Sequence, residues 1–328
     1  MPLHTVIAVF LLTLSTNSYA GDLFDMLQRM SDADYNQNYQ GIFILRKSDK
    51  LSTFKVLHGN DEKGVWESLE TLNGESRQVI RHNNKVVTIY PEQKLVTIRH
   101  SINNNSLYLH LPDNIKQLDH FYTIQRRDDD RIANHPTLVV DLLPKDQYRY
   151  GYRYWVDKNT GMLLRCDLLA VDNTVVEQMM FTSLKYLKSS PADSFAGLLK
   201  GAPYEQYKQQ LLDEREVNVL PSAQLKWGVN LLPKGFMLTQ STMRHSQPSS
   251  ANSNEEAGLL HLVYSDGLAS VSIFIEQNQG EDKHLQGASM MGAVNAYGNS
   301  VGDYFVTVVG EVPITTVRSM ARSTFKLP

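Results

Sequence analysis

Cysteine is the scarcest residue of the sequence, with Cys166 alone among 328 residues. A chain with one thiol cannot form an internal disulfide, so its hydrophobic core must stabilise the fold unaided. Cys166 is either a nucleophile or redox sensor, or a small hydrophobic residue buried in a strand. No CxxC motif and no nearby helix N-terminus activates the thiol, so we expect the buried structural role.

An excess of charge of one sign is also missing. The sequence has 32 Lys and Arg residues against 35 Asp and Glu residues, for a net charge of −3. This balance gives no indication of a nucleic-acid partner. One acidic run, at residues 128–130, resembles a metal cluster, but the arginines on both sides of it favour an exposed charged turn.

Motifs for catalysis or metal binding are missing as well. The ten histidines are scattered singly, and no HExxH, HxH or Cys/His pair gives a metal-binding spacing. There is no GxSxG motif or P-loop, and Gly287, Gly292 and Gly298 lie in a loop-like context. A catalytic site assembled from distant strands stays open, because triads are recognised in space. We expect no enzyme, no metal and no cofactor.

Long hydrophobic runs are confined to the N-terminus. A short apolar run at residues 6–14 precedes Ser18-Tyr19-Ala20, the layout of a signal peptide, which predicts a leader at residues 1–20 cleaved after Ala20. The alternative is an uncleaved anchor, but the run is shorter than the roughly 20 residues needed to span a bilayer. We expect an exported protein that is soluble outside the cytoplasm and, lacking a cysteine at the cleavage site, carries no lipid.

The remaining sequence has mainly the pattern of β-strands. Residues 22–37 place apolar side chains at helical spacing, and short strands separated by turn residues follow, which predicts an antiparallel meander that curls on itself. Residues 101–121 are predicted to form helical turns that cap one side of the sheet. The predicted strands span residues 39–47, 52–58, 64–72, 76–81, 85–90, 94–99, 122–128, 137–143, 148–156, 163–171 and 175–185.

The β pattern stops near residue 190, which divides the chain into two domains. We predict a large domain at residues 21–189, a linker at 190–222 and a small domain at 223–328. The small domain is expected to contain strands at residues 260–264, 269–276 and 304–311, a disorder-prone stretch at 246–254, and a short helix that Pro313 opens.

A curled antiparallel sheet around one helix offers a concave apolar surface suited to an acyl chain or an apolar peptide. Bulky strand residues could line this groove, or they could simply fill the core. The groove candidates are Phe43, Phe54, Trp66, Tyr90, Leu109, Phe121 and Trp155.

Four stretches, in matching order, resemble the RseB/MucB family, the periplasmic regulators of the sigma-E envelope-stress response. They are the hairpin YWVD (154–157), TGMLLR (160–165) and DLL (167–169); Trp227 with LPKGF (232–236); YSDGL (264–268); and VGEVP (309–313). Within them, the candidates for partner binding are Trp227, Phe236, Tyr264 and Asp266.

The resemblance implies a large domain similar to lipoprotein carriers of the LolA type, an unclosed β-barrel with a helical lid, and a small β-rich domain. It implies binding to the periplasmic region of a membrane-bound anti-sigma factor, which shields that factor from the site-1 protease. Lipopolysaccharide or lipoprotein acyl chains would weaken the complex. A carrier of lipoproteins and a hydrolase with a dispersed site are the alternatives, and a homo-oligomer stays open.

Overall fold

Helix α1 (Ser18–Asn36) opens the part of the chain that the computed structural model describes, which comprises residues 18–100, 111, 115–200, 206–211, 218–221, 224–245, 258–278 and 286–327. Its apolar stripe, including Met26, Leu27 and Met30, is buried against the large sheet. The helix predicted at residues 22–37 is thus confirmed. The predicted leader lies outside the described residues except for Ser18–Ala20, the first residues of α1. No helix in the described ranges is long and apolar enough to cross a membrane.

A twelve-stranded sheet forms the first unit, in the order β12-β6-β5-β4-β3-β2-β1-β11-β10-β9-β8-β7. Two meanders, β1 to β6 and β7 to β11, join where β1 pairs with β11. Its first eleven strands are Tyr39–Lys47 (β1), Lys50–Asp61 (β2), Gly64–Thr71 (β3), Gln78–His82 (β4), Lys85–Tyr90 (β5), Leu95–His100 (β6), Tyr122–Ile132 (β7), His135–Pro144 (β8), Gly151–Asp157 (β9), Leu163–Leu169 (β10) and Val175–Tyr186 (β11).

The edge strands β7 and β12 (Lys208–Leu211) do not pair with each other, so the barrel is unclosed. Helix α1 and a short 3₁₀ helix, Ile115–His120, pack over one face, which we call the inner face. The mainly β fold class with an open sheet and a helical lid is therefore confirmed. Most of the predicted capping segment at residues 101–121 lies outside the described residues.

The opposite, outer face is polar between β7 and β11. Asp141 accepts hydrogen bonds from Arg127 and Arg153, and Asp167 accepts from Arg165, at 2.9 and 2.6 Å. These side chains alternate with the apolar residues of the inner face, since neighbouring residues of a strand point to opposite faces.

The acidic run at residues 128–130 lies within β7, so the predicted turn is wrong. A bulge between Arg127 and Asp130 interrupts the pairing with β8, which lets the strand continue with its charges exposed. Asp129 forms ion pairs with Arg126 and Lys158. No group of three or more His, Cys, Asp or Glu side chains among the described residues could hold a metal ion.

The predicted linker contains two ordered elements that pack on the large sheet. Helix α2 (Ala192–Lys200) places Phe195 on the ring of Trp66, on the outer face. Strand β12 (Lys208–Leu211) then pairs with β6, the only parallel pair described in this sheet.

A seven-stranded antiparallel sheet forms the second unit, in the order β13-β15-β16-β17-β20-β19-β18. Gly287 and Gly298 lie in strands that form a hairpin, so their predicted loop-like context is wrong, whereas Gly292 lies in the turn of that hairpin. The disorder-prone stretch at 246–254 lies outside the described residues. The strands are Asn218–Val219 (β13), Met237–His245 (β15), Gly258–Ser265 (β16), Ser270–Gln277 (β17), Gly287–Met291 (β18), Val294–Val301 (β19) and Tyr304–Gly310 (β20).

Helix α3 (Ile314–Ser323) covers this second sheet, and Pro313 precedes it as predicted. Val317, Met320 and Ala321 are fully buried in the core of the second unit. A separate two-stranded pair, Trp227–Val229 (β14) with Thr324–Lys326 (β21), joins the two ends of the unit.

Candidate ligand cavity and domain junction

A cavity of about 320 Å³ opens on the inner face of the large sheet. Strands β1 to β3 and β9 to β11 supply most of its lining, because alternate residues of these strands point to the inner face. Its wall is mostly apolar and consists of Phe43, Leu45, Phe54, Leu69, Tyr152, Cys166, Leu168 and Met179.

One end of the cavity is polar and is shared by the two units. Lys47 on β1 pairs with Glu177 on β11 at 3.0 Å. Glu311, in the turn between β20 and α3 of the second unit, lines the same end. Burial, followed by the negative charge of Glu177, raises the pKa of Glu311, and Lys47 opposes this rise. The cavity is therefore completed only when the second unit is docked.

The only thiol of the protein lies on the cavity wall. Cys166 is partly buried in β10 and forms no disulfide. Burial raises the pKa of the Cys166 thiol, and the charges of Asp167, Glu311 and Glu177 raise it further. A thiol held protonated in this way is a poor nucleophile.

The two units meet around Arg149, which is fully buried. Its guanidinium donates to both carboxylate oxygens of Asp146, at 3.1 and 3.0 Å, and to the Lys234 carbonyl at 2.6 Å. It also pairs with Asp266, whose side chain is equally buried. Asp146 belongs to the first unit, whereas Lys234 and Asp266 belong to the second, so Arg149 bridges them.

Aromatic rings and backbone amides complete this junction. The Arg149 guanidinium carbon lies 5.0 Å from the centre of the Phe121 ring and 5.2 Å from that of Phe236. Asp266 also accepts from the amides of Leu268 and Ala269, at 2.9 and 2.8 Å. Each charge is thus paired and hydrogen-bonded, as a buried ion pair requires.

A glycine allows the close approach of the two units. Gly235 has φ +91°, and a Cβ atom there would lie 2.4 Å from the Phe121 ring. Only glycine combines this backbone conformation with so close a neighbour.

Further hydrogen bonds hold the junction at other points. The Thr316 hydroxyl donates to the Tyr148 carbonyl at 2.7 Å, and the Asn295 amide donates to the Tyr150 hydroxyl at 3.1 Å. At the polar end of the cavity, the Ala293 amide donates to Glu177 at 3.1 Å. Glu177 therefore contacts the cavity lysine and the second unit at once.

Another buried carboxylate lies near α1. Glu67 on β3 stands opposite His58 on β2 and Arg81 on β4. Burial, followed by the charge of Asp34 on α1, raises the pKa of Glu67 to about 7, against the effect of Arg81. Burial also lowers the pKa of His58, so this strand pair disfavours the charged forms of both side chains.

Both units match models of one protein family. A model described as the MucB/RseB N-terminal domain matches residues 22–199, and one described as the MucB/RseB C-terminal domain matches residues 221–324. The chain belongs to the MucB/RseB family. The resemblance of the four sequence stretches is thereby confirmed.

Relatives in the MucB/RseB family match over nearly their whole length. The sigma factor AlgU regulatory protein MucB of Pseudomonas aeruginosa is 29% identical over 315 residues, which cover 93% of this chain and 91% of the relative. The sigma-E factor regulatory protein RseB of Escherichia coli is 25% identical, with coverages of 91% and 89%. These are regulatory proteins, which confirms the prediction that the chain is not an enzyme.

Solved structures of MucB are also similar to this one. A crystal structure of MucB in complex with MucA(peri) matches with a TM-score of 0.69 and 27% identity, covering 93% of this chain and 98% of that one. A MucA/MucB complex from Pseudomonas aeruginosa gives a TM-score of 0.71 at 26% identity, with coverages of 94% and 99%.

The groove candidates from the sequence divide between the two faces of the large sheet. Phe43 and Phe54 line the cavity and stack with ring centres 5.2 Å apart. Tyr90 lies on the inner face of β5, outside the cavity lining, as the pairing of β3, β4 and β5 shows. Leu109 lies outside the described residues.

The other three groove candidates lie elsewhere, and their predicted placement is wrong. Trp66 stacks on His82 on the outer face, with ring centres 3.6 Å apart. Trp155 also faces outward, where its Nε1 donates to Asp130 at 2.9 Å. Phe121 packs at the domain junction instead. Size and apolar character do not distinguish the two faces of a strand, and this explains the errors.

The four candidates for partner binding are all buried. Trp227 and Tyr264 lie in the core of the second unit, where Trp227 packs edge-on against Tyr304. Phe236 and Asp266 lie at the junction with Arg149. In this domain arrangement none of the four presents a contact surface, and their role in partner binding stays a prediction.

Sequence reasoning missed the charged residues of both sites except Asp266, which it named as a candidate for partner binding. Arg149 and Asp266 are 117 positions apart, and no local pattern relates them. Lys47, Glu177 and Glu311 come from three separate strands or turns. Of these five, Asp266 and Glu311 lie in the stretches YSDGL and VGEVP, and that was the one available signal.

Proposed function

We propose that the protein is a periplasmic regulator that binds the periplasmic region of a membrane-bound anti-sigma factor and so represses a sigma-E envelope-stress response. The main support is the likeness, over 93% of the chain, to MucB in its complex with MucA(peri). Bound to this partner, the protein shields it from the site-1 protease.

Export is part of the proposal, since a periplasmic partner requires the protein to leave the cytoplasm. We expect the leader to be cleaved after Ala20, so that the mature chain begins at Gly21. Mass spectrometry of the protein from a periplasmic fraction measures this directly. An intact leader at Met1 would support the anchored alternative.

Lipid-like signals release the partner in this proposal. Lipopolysaccharide or lipoprotein acyl chains would enter the cavity, whose wall is apolar and whose polar end includes Glu311 of the second unit. If the lipid prefers a domain arrangement that binds the anti-sigma factor poorly, the two ligands must weaken each other reciprocally. A tenfold effect corresponds to about 1.4 kcal/mol of coupling.

A binding and protection assay tests the main claim. Purified mature protein is titrated with the periplasmic segment of the anti-sigma factor, and cleavage of that segment by the site-1 protease is followed with and without lipid. We expect micromolar or tighter binding, slower cleavage in the complex, and faster cleavage when lipid is added. Absence of binding at micromolar concentration would contradict the regulator and favour the carrier.

A pair of variants tests whether the cavity receives the signal. Leu69→Trp fills the cavity from its wall, whereas Leu72→Trp adds the same side chain to the same hairpin at a position that is 45% exposed. Lipid should lose its effect on the complex in Leu69→Trp alone. Equal lipid responses of the two variants would refute the cavity as the signal site.

A lipoprotein carrier remains the second candidate function, because the apolar wall of the cavity belongs to the first unit alone. A carrier does not need a second unit that supplies Glu311. Transfer of a fluorescent lipoprotein between vesicles by the purified protein would support the carrier. Transfer no faster than the spontaneous rate would reject it.

The mechanism of release requires the two units to change their relative orientation. We expect the linker at residues 190–222 to allow this change, with its elements α2 and β12 moving together with the large sheet on which they pack. A short bis-maleimide that joins Ser48→Cys to Met291→Cys, in a Cys166→Ala background, would lock the units. These positions lie near Gly292, where an added Cβ atom would lie 3.7 Å from the Ser48 hydroxyl. We expect the locked protein to bind its partner and to ignore lipid. Release by lipid from the locked protein would refute the hinge, and the reagent on Met291→Cys alone is the control.

A further inference from the structure

A row of exposed cations runs along the second unit. Arg318 and Arg322 lie one turn apart on the exposed side of α3. Lys326 on β21 continues the row, and Lys226 lies beside it, because the Lys226 carbonyl accepts from the Leu327 amide at 2.7 Å. We call these four cations the basic face. Within the part of the chain that the structure describes, none of them forms an ion pair.

Two tyrosine rings hold three of these cations in place. The guanidinium carbons of Arg318 and Arg322 lie 5.9 and 5.4 Å from the centre of the Tyr297 ring, and Arg322 Nε donates to its hydroxyl at 3.1 Å. The Lys326 ammonium lies 4.4 Å from the centre of the Tyr304 ring and donates to its hydroxyl at 3.0 Å. An aromatic ring attracts a cation but carries no net charge. The positive charges are therefore positioned without being neutralised.

The carboxylates in the described part of the second unit do not offset this charge. Asp266 is paired with Arg149, and Glu311 lines the cavity. Glu276 lies on the face of the sheet opposite to the core and α3, since it follows a core residue of β17. Asp303 is exposed in the turn before β20 and forms no ion pair with a described residue. The basic face is thus locally positive, although the chain has a net charge of −3.

Exposed leucines lie beside the cations. Leu231 is 61% exposed, and its amide donates to the Ser323 hydroxyl at 3.1 Å, which places it at the C-terminal end of α3. It lines one groove with Arg318 and Arg322. Leu327, which follows β21, is 42% exposed. Cations combined with exposed apolar side chains suit a surface that is negative outside and apolar beneath, as the interface of an anionic bilayer is.

We propose that the basic face docks the protein reversibly on an anionic phospholipid bilayer, with its cations against lipid phosphates and the two leucines at the boundary of the acyl chains. The inference goes beyond the proposed regulator and does not depend on it. No residue that lines the apolar cavity belongs to the basic face, so docking and cavity binding use separate side chains. Docking would also hold the protein beside a partner that is anchored in the same membrane.

A bilayer fits this surface better than an acidic polypeptide does. The cations are spread over α3 and the β14–β21 pair, and each can contact a separate head group, whereas a polypeptide must match their spacing with its own carboxylates. An acidic polypeptide also leaves the exposed leucines in water. Each Lys or Arg near an anionic membrane strengthens binding about fivefold. Because the rest of the chain is net negative, only the basic face can approach such a membrane closely.

Binding to vesicles of two compositions tests the proposal. The protein purified from the periplasm is sedimented with vesicles of phosphatidylcholine alone, or of equal parts of phosphatidylcholine and phosphatidylglycerol. We expect at least tenfold tighter binding to the anionic vesicles. This preference should disappear in about 1 M salt, where the Debye length is about 3 Å. Equal binding to both compositions at low salt would overturn the proposal.

Three double variants test whether the basic face is responsible. Replacing Arg318 and Arg322 by glutamine should weaken binding to anionic vesicles by about 25-fold, at about fivefold for each charge. Replacing both by lysine keeps the charges and should retain most of the binding. Arg77→Gln with Arg99→Gln removes the same charge from exposed positions of the first unit and should change binding less than twofold.

Thermal unfolding of each variant shows whether the fold is intact, and we expect no change because all four side chains are exposed. Equal losses in the glutamine variant and in the Arg77, Arg99 control would refute the basic face as the docking surface. A loss with lysine as large as that with glutamine would refute charge as its cause.

Binding of the anti-sigma segment in solution separates this inference from the proposed function. The glutamine variant of Arg318 and Arg322 should bind that segment as the parent protein does. Loss of segment binding in this variant, with no preference of the parent for anionic vesicles, would overturn the membrane surface and indicate an acidic polypeptide. Failure of the parent to bind the segment would contradict the regulator but leave docking on the bilayer in place.

Discussion

Replacement of Arg149 by methionine should weaken the docking of the two units more than any other single change at their junction. Methionine fills most of the arginine volume, so the loss is mainly electrostatic. It leaves the carboxylate of Asp266 fully buried without its cation, although the amides of Leu268 and Ala269 still donate to it. Removal of one partner of a buried ion pair costs about 3–5 kcal/mol, and we expect Arg149→Met to lose that much stability.

Urea denaturation measures this loss. Trp155 and Trp66 report on the first unit, and Trp227 reports on the second, so variants that retain a single tryptophan reveal whether the two transitions separate. We expect them to coincide in the parent protein and to separate in Arg149→Met. The control is Arg126→Met, whose ion pair with Asp129 is about half exposed and should contribute roughly 0–1 kcal/mol.

A double-mutant cycle distinguishes the ion pair from general damage to the fold. Asp266→Asn keeps the side chain's acceptor oxygen for the backbone amides but removes its charge. The double variant Arg149→Met, Asp266→Asn should therefore lose less stability than the sum of the single losses. A loss below about 1 kcal/mol in Arg149→Met, or strict additivity in the cycle, would refute the bridge between the units.

Three further predictions concern Glu67, Cys166 and Gly235. The folded pKa of Glu67, about 7, exceeds the usual value of about 4.3. Its contribution to stability is therefore complete below about pH 4.3 and is lost as pH rises toward 7. Glu67→Gln should remove a dependence of the unfolding free energy on pH of up to about 1.4 kcal/mol per pH unit, and the control Glu70→Gln, at an exposed side chain, should not. The Cys166 thiol should react with iodoacetamide at pH 8 at least ten times more slowly in the folded protein than in urea, and equal rates would contradict its raised pKa. Gly235→Ala should destabilise the protein by more than Gly74→Ala. Both glycines have positive φ, but an added Cβ atom meets no neighbour at Gly74. In thermal unfolding, Gly74→Ala should show only the strain of about 1–3 kcal/mol expected from φ, whereas Gly235→Ala should show this strain and a steric cost.

The course of the backbone could be predicted from the sequence because its signals are local. The strands at residues 39–47 and 85–90 have the predicted bounds, since alternating side chains end at turn residues in both. Strand β15 was missed, because the polar residues of Met237–His245 resemble a loop. Strands β18 and β19 contain glycines that sequence patterns assign to loops, but they pair with each other and with β20 in two consecutive hairpins.

The site was predictable only in part, because alternation separates the two faces of a strand without identifying the inner one. Phe43 and Phe54 lie inside, whereas Trp155 lies outside, where Arg165 covers its ring at 4.0 Å. Trp155 is therefore buried, but under a long cationic side chain on the outer face rather than in the cavity. The ion pair of Arg149 depends on domain docking, which no periodicity in the chain encodes.

The strength of the Arg149–Asp266 pair limits how a ligand can act on the junction. A tenfold effect on partner binding supplies about 1.4 kcal/mol, which is less than the roughly 3–5 kcal/mol needed to leave one buried ion unpaired. A ligand of that strength therefore cannot separate the units entirely. We expect the pair to stay intact while the units tilt about it, with the change concentrated at the Glu177–Ala293 contact, at the polar end of the cavity. A crosslink between Ser48→Cys and Met291→Cys restrains this end of the junction, so it should block the response to lipid although it leaves the Arg149 bridge untouched.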